Sequence, residues 1–371
     1  MTFTSLADEQ ARETLATHRL ATPCPIIDQD ILMANLRGMA EAVSHSGCGL
    51  RPHFKTHRAI EIASQQMKLG ACGLTCATIC EAEVLVKNGF DDILIAYPLW
   101  ADKSTGRRMQ TLSEMARLRI GVDSVESVER IAKITSGGPT QELIIEIDPG
   151  FRRSGVKSDE VLRIANAIVD HGLIVSGVFA YPGQAYDAPE AVATAVQDEL
   201  RTLAEAREIL EEAGIAPSVV SAGSTPTARL SAGESVTDVR PGVYVFNDRQ
   251  QVLLGTCRES EVALVVLATV VSTSVRGSFV VDAGSKALSS DRLPWIPGFG
   301  SVLGAPDVIA HSLSEHHGVF KLPDGVTTPH IGEVVAIVPN HVCNVVHQFA
   351  NLAAIDGDGA CAHWPVTARL S

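Results

Sequence analysis

From residue 30 to about 255 the sequence repeats one pattern eight times: a short apolar, β-branched run, then a longer amphipathic segment rich in Ala, Glu, Leu and Arg. The runs are Gly49 to Lys55, Gly73 to Thr78, Asp92 to Pro98, Leu118 to Asp123, Glu142 to Asp148, Ile174 to Tyr181, Ser218 to Ser224, and Val239 to Phe246. Strands this continuously apolar are buried on both faces, the situation of a parallel sheet covered by helices. Eight repeats predict an α/β fold, a closed (β/α)8 TIM barrel over residues 31–255; a doubly wound open sheet is the alternative and fits eight repeats less well. The clearest helix is expected over Asp187 to Ala213, where Val192, Val196, Leu200, Leu203, Ala206 and Leu210 fall three or four apart and Gly214 stops the pattern.

After about residue 256 the period changes. EVALVVLATVVSTS, GSFVVDAG, GVFKL, GEVVAIVPNHVCNVV and NLAAIDGDGACAHWPV alternate around turns, so residues 256–371 are expected to form a C-terminal all-β domain. Residues 1–30, with the strand-like PCPIID, are grouped with it, although the sequence alone allows either attachment.

Charge narrows the partners. A formal net charge of −13 with no run of Lys or Arg provides no positive field for a nucleic-acid backbone or an anionic bilayer, so neither partner is expected. Eight cysteines in 371 residues are too sparse for a disulfide scaffold, and none has a paired zinc-finger spacing, which points to a reducing compartment. The N-terminal MTFTSLADEQARETL has no apolar core of a leader, and the longest apolar stretch, Val262 to Val271, is about half of what spans a bilayer. A soluble cytoplasmic protein is expected.

In a parallel barrel, chemistry collects at the C-terminal strand ends, and the unusual residues fall there. The first run ends in RPHFKTH, with Lys55 between His53 and His57. A desolvated lysine with cationic neighbours has a lowered pKa and can form an imine with an aldehyde; read alone, it is equally a surface lysine. EIDPGFRRSGV places Asp148, Arg152 and Arg153 at the fifth mouth, as solvated charges or as donors to an anion, and FAYPGQAYD brings Tyr181, Gln184 and Tyr186 to the sixth. In SAGSTPT, Gly223, Ser224 and Thr225 offer backbone N–H groups and hydroxyls, the makings of a phosphate cradle or of a plain Gly/Ser turn. DVRPGVYVFND adds Arg240, Gly242 and Tyr244. A lysine on the first strand and a phosphate site on the seventh and eighth become neighbours when a barrel closes, which suits pyridoxal phosphate.

In the β-domain, VPNHVCNVVH sets His341 and Cys343 two apart, on one face if the segment is a strand. Imidazole with thiolate favours zinc, although a satisfied histidine beside a buried cysteine is the commoner arrangement. His347, four further on, suits a helix better than a strand. Cys72, Cys76 and Cys80 cross from a strand into a helix and are expected to be small core residues.

Together these segments resemble the family of D-threonine aldolases and D-serine dehydratases, pyridoxal-phosphate enzymes with an alanine racemase-type barrel (fold type III) and a C-terminal β-domain. The resemblance runs from TPCPIID through RPHFKTH to VPNHVC, and RPHxKTH and PNHxC are its specific parts. It implies that Lys55 is the Schiff-base lysine, that Arg153 faces the cofactor's phenolic oxygen, that Tyr181 also binds the cofactor, and that Arg240 faces the pyridine nitrogen. It further implies phosphate binding by Gly223, Ser224, Thr225, the backbone of Gly242 and Val243, and the Tyr244 hydroxyl. His341 and Cys343 would hold a divalent metal, Zn2+ first and Mn2+ second. A homodimer acting on small D-3-hydroxy amino acids is implied as well.

Two details favour dehydration to a 2-keto acid and ammonia over retro-aldol cleavage to glycine and an aldehyde. The His-x-Cys pair resembles the dehydratase branch, and YPGQAYD has Gln184 and Asp187 where the aldolases carry a histidine. Racemisation is disfavoured, because no tyrosine lies beyond Tyr244 to act as a second base of the alanine-racemase kind. A reading from another class, a silent pyridoxal-phosphate carrier, is opposed by the extra domain with its His/Cys pair.

Overall fold

The computed structural model describes residues 9–369. Two compact units are present: residues 37–242 with the segment from 367 onward, and residues up to 36 with 243–366. The second boundary falls after Gly242 rather than after 255, so Val243 and Tyr244 belong with the β-rich unit.

In chain order the first strands are β1 (Cys24–Asp28), β2 (Gly49–Leu50), β3 (Leu74–Cys76), β4 (Asp92–Ile95), β5 (Arg117–Val122), β6 (Glu142–Ile147), β7 (Ile174–Ala180), β8 (Val219–Ala222) and β9 (Asp238–Val239). Strands β3 to β9 pair in chain order and β9 pairs β2, every pair parallel. The remaining seam, between β2 and β3, is bridged at His53 and Thr75, and Cys72 and Thr75 donate N–H groups to the carbonyls of Leu50 and Pro52, both at 2.9 Å. The result is a TIM-like barrel. Helices follow the strands and begin where the sequence supplies a cap, as at Thr78, Asp102 and Ser124, whose side chains accept the N–H three residues on. The long helix is Ala191–Glu212, preceded by a separate 3-10 turn at Gly183–Tyr186.

The β-rich unit holds β1 together with β10 (Leu264–Ser272), β11 (Ser278–Val281), β12 (Gly300–Val302), β13 (Ala305–Leu313), β14 (Gly318–Lys321), β15 (Val334–Pro339), β16 (Asn351–Ile355) and β17 (Cys361–Pro365). Six of these close into an antiparallel barrel, because β11 pairs both β14 and β10 around the order β11-β14-β13-β12-β15-β10. The PCPIID segment is β1, antiparallel to β10 and parallel to β16. Ile26, Val265, Leu267, Ala336, Val338 and Ile355 form part of the core beside it.

Three expected strands end early, each at or within two residues of a proline, which strands disfavour. The first run stops at Leu50, and after Pro52 the chain makes a 3-10 turn, Phe54–Thr56. The eighth is only Asp238–Val239; past Pro241, Val243–Val245 is a 3-10 turn. The PNHVC segment is not a strand: β15 ends at Pro339 and Val342–Gln348 is a helix with His341 as its N-cap. Of the three cysteines expected in the core, Cys76 is buried, Cys72 is exposed, and half-buried Cys80 accepts an N–H from Arg108 at 3.0 Å. Among the described residues, no helix is long and apolar enough to cross a membrane.

Candidate active site

In the barrel unit, the turn carrying Lys55 is fixed from three sides. His53 Nδ1 accepts the Lys55 N–H at 3.3 Å, and His53 N–H donates to the Pro241 carbonyl at 3.0 Å. Phe54 is fully buried beneath the turn, edge-on to His57 at 5.2 Å. Gly242 packs against it so closely that a Cβ there would lie 2.7 Å from Thr56 Oγ1. Burial, reinforced by Lys55 and Arg240, drives the His53 pKa well below the ordinary value, and burial brings that of His57 to about 3. The histidines flanking Lys55 are therefore neutral, not the cationic neighbours the sequence suggested. Desolvation outweighs what a charged ring would gain there.

From this turn Lys55 Nζ reaches to 5.8 Å from the centroid of the Tyr181 ring. The Arg153 guanidinium approaches the same ring at 4.7 Å. Phe151, edge-on at 5.6 Å, and Tyr186, stacked at 6.4 Å, hold Tyr181 in place. Arg153 lies 3.6 Å from Oε1 of Glu146, which also accepts the Ser154 hydroxyl at 3.0 Å. The other oxygen of Glu146 is buried with no hydrogen bond, and burial raises the pKa of this carboxyl. Arg240 is buried; it donates to Ser221 Oγ at 2.6 Å and to the carbonyl of Ala180, the residue before Tyr181. Lys55, Arg153, Tyr181 and Arg240 are thus brought to one mouth.

The Gly223 segment differs from expectation. Gly223 adopts φ +80, and its N–H donates to Glu199 Oε1 at 2.8 Å, while the Ser224 N–H donates to Thr227 Oγ1 at 2.8 Å. Two of the three N–H groups expected to cradle a phosphate are therefore committed within the protein. Ser224 and Thr225 are themselves buried. Asp148 is a turn residue, accepting N–H bonds from Gly150 (3.0 Å) and Arg152 (2.9 Å), and Arg152 is exposed. The Gln184 amide is tied to the Pro149 carbonyl at 2.9 Å, and Asp187 is exposed.

In the β-rich unit, Asp248 is fully buried and caps the helix Arg249–Leu253 through Gln251 N–H at 3.0 Å. Its second oxygen accepts the Val342 N–H at 3.1 Å and lies 3.4 Å from His341 Nδ1. Burial opposes a charge on His341, but Cys343 and Asp248 more than offset it and raise the pKa of the ring well above its ordinary value. Imidazole and thiol are the donor types that suit zinc. Among the described residues, no group of three or more His, Cys, Asp or Glu side chains is arranged to hold a metal, so His341 and Cys343 stand as a pair of candidate donors without a third. His347 lies in the last turn of the helix. Val243 and Tyr244 are buried in this unit.

Glu146, Glu199 and Asp248 were not anticipated from the sequence. Signals for them exist: a carboxylate inside the apolar run LIIEI, another between Val196 and Leu203 on the buried stripe of the long helix, and the helix-start spacing Asp-x-x-Gln at Asp248.

Residues 27–250 match the alanine racemase N-terminal domain, and residues 263–355 match a putative serine dehydratase domain. The D-threo-3-hydroxyaspartate dehydratase of Delftia sp. strain HT23 is 35% identical, over 95% of this chain and 98% of its own. Its solved structure superposes with a TM-score of 0.86 at 34% identity, over 95% of this chain and 98% of that one. Two further structures of that enzyme carry a cysteine-to-alanine change, in a metal-free form, and a histidine-to-alanine change, at positions two apart as Cys343 and His341 are here. The D-threonine aldolase of Arthrobacter sp. is 29% identical, over 95% of this chain and 93% of its own, and the D-serine dehydratase of Dictyostelium discoideum 28%, over 92% and 95%. The chain belongs to the pyridoxal-phosphate-dependent lyase family that joins an alanine racemase N-terminal domain to a serine dehydratase domain.

Proposed function

We propose that the protein is a pyridoxal-phosphate- and divalent-metal-dependent lyase of D-3-hydroxy amino acids, carried on a closed (β/α)8 barrel, and that it dehydrates them to a 2-keto acid and ammonia. The observation that carries the reading is the meeting of Lys55 and Arg153 over one Tyr181 ring. An amine poised to bond an aldehyde and a cation poised beside it are what the cofactor's reactive edge requires. The buried, unbonded oxygen of Glu146 beside Arg153 supports the same reading, because it leaves an acceptor for a bound group.

Bound there, pyridoxal phosphate supplies an aldehyde for the substrate amine and an electron sink for the α-carbon. Lys55 Nζ would hold the group and, when free, would be the base for the α-proton; Arg153 would keep a positive charge beside it, with Tyr181 as the platform that both side chains face. Arg240 would be the cation toward the ring nitrogen, and the Gly223, Ser224 and Thr225 segment would receive the phosphate through the Ser224 and Thr225 hydroxyls rather than through the committed N–H groups of Gly223 and Ser224, together with the backbone of Gly242 and Val243 and the Tyr244 hydroxyl. His341 and Cys343 would hold Zn2+, or Mn2+ as second choice, and the metal would supply a Lewis acid for the β-hydroxyl. In the net reaction the α-proton and the β-hydroxide are lost as water, and one water taken up in hydrolysis releases ammonia and the 2-keto acid.

Retro-aldol cleavage needs a base on the β-hydroxyl. Gln184 is an amide bound to Pro149 and Asp187 is exposed, which favours elimination. Incubation with a panel of D- and L-3-hydroxy amino acids decides the branch: 2-keto acid plus ammonia supports dehydration, glycine plus aldehyde overturns it for cleavage, and no product from any member overturns the lyase reading. A homodimer and a cytoplasmic location belong to the same proposal; a monomer with full activity in sedimentation would remove the first.

A further inference from the structure

Glu199 lies within the helix Ala191–Glu212 and is completely buried. Both of its oxygens are engaged: Oε1 accepts the Gly223 N–H at 2.8 Å and Oε2 accepts the Ser231 hydroxyl at 2.7 Å. Those partners are the two ends of the segment that follows β8. Gly223 opens it in the left-handed region, and Ser231 closes its short helical turn, Ala228–Ser231. Between them stand Ser224 and Thr225, and the Ser224 N–H is turned inward onto Thr227.

A carboxyl on the apolar stripe of a helix is costly to bury, and its retention calls for a reason beyond packing. The cost shows in its pKa, raised by burial to about 7. Gly223 has little freedom of its own: a Cβ there would lie 3.1 Å from Ala228 Cα and 3.2 Å from Val239 Cβ. The segment is thus clamped at both ends by one side chain from a separate element.

We propose that Glu199 is the positioning residue of the phosphate loop, holding Gly223 and Ser231 so that the hydroxyls of Ser224 and Thr225, not the committed N–H groups, are presented to the cofactor's phosphate. The inference rests on the cofactor assignment above. Glu199 touches neither cofactor nor substrate; it acts through the loop.

The test compares the affinity of the apoprotein for pyridoxal phosphate and for pyridoxal, which has the same aldehyde and ring but no phosphate, read by the absorbance of the bound chromophore. In Glu199→Ala the affinity for pyridoxal phosphate should fall about tenfold or more, the usual consequence of losing hydrogen bonds to a buried charged group, with pyridoxal unchanged. Glu199→Gln keeps an oxygen for the Gly223 N–H and should restore most of the preference. Equal losses for both ligands in Glu199→Ala, or no loss for either, overturn the inference. If Glu199→Ala does not fold, Ser231→Ala carries the same measurement: a smaller loss confined to pyridoxal phosphate supports the proposal and an unchanged preference overturns it. A wild-type protein that binds neither aldehyde defeats the cofactor assignment and this inference together, whereas a wild type that prefers the phosphorylated ligand, with that preference intact in Glu199→Ala, defeats the inference alone.

Discussion

Lys55 in the barrel unit and Cys343 in the β-rich unit are delivered by the same local device, put to opposite uses. In Pro-His-Phe-Lys and in Pro-Asn-His-Val-Cys, a proline lies where a strand ends, a histidine becomes the N-cap of a helical turn, and the reactive side chain stands two residues after the histidine. His53 spends its ring on the cap, accepting the Lys55 N–H, and burial keeps it neutral. His341 makes no such bond. Asp248 accepts the Val342 N–H in its stead, and the His341 ring is left to face Asp248 and Cys343. What separates the two histidines here is which group satisfies the first donors of the turn.

The largest effects should separate the two reactive residues from their histidines. Lys55→Ala removes both the covalent anchor and the base, so turnover should fall by at least about 10⁴-fold, the protein should be colourless, and borohydride should trap no cofactor. A variant that still bound cofactor in a reducible link would end the assignment. In the other turn, His341→Ala combined with Cys343→Ala should abolish stoichiometric divalent metal in elemental analysis. Losing a Lewis acid costs several kcal/mol of barrier, or roughly 10³-fold in rate. Cofactor colour should survive that loss, and unchanged metal content would refute the pair as donors.

The next effect reads the neutral side of the comparison. His57 binds its proton at about 3 in the folded protein and near 6.5 in the unfolded chain. Its folded pKa is depressed, so its contribution to stability is complete above 6.5 and declines as pH falls toward 3. The slope is about 1.4 kcal/mol per pH unit. His53 is shifted the same way. Urea midpoints measured between pH 7.5 and 4.5 should fall with acid, and His57→Asn should flatten the fall; an unaltered slope would show that burial is not what keeps this ring neutral.

How much of this was legible follows from where the chain lacks donors. The eight apolar runs, their order and the change of period after the barrel can be read because burial imposes a period on side chains. The places where reading strays are Pro52, Pro241 and Pro339. After Pro241 the apolar pattern continues in Val243, Tyr244 and Val245, while the backbone folds into a 3-10 turn. Lys55, His341 and Cys343 could be singled out by type, but their turns could not. Glu146 and Glu199 remained hidden for a different reason: a polar residue on an apolar stripe is seen only once its partners, Ser154, Gly223 and Ser231, are in place. The charge state of His53 and His57 likewise depends on burial that no local spacing reports.

Asp248→Ala tests the substitution on which the comparison turns. Asp248 lies 3.4 Å from His341 rather than among the two proposed donors, so its loss should weaken metal binding about 10–100-fold, as for other residues that orient a ligand. The measurement is a competition titration against a chromophoric chelator. Unchanged affinity would mean that His341 is held by the helix itself.

The smallest effect lies in the barrel turn. His53→Ala removes the acceptor of the Lys55 N–H and should cost about 1 kcal/mol in denaturation, the usual value of a lost cap. His53→Asn offers a shorter acceptor of the same kind and should recover much of it. If His53 only caps, both variants should keep the cofactor's colour and lose stability alone, whereas a shift in the absorbance maximum would show that the ring also sets the environment of Lys55 Nζ. That outcome would bring His53 closer to His341 in function and narrow the contrast between the two turns to the identity of the acceptor beside each.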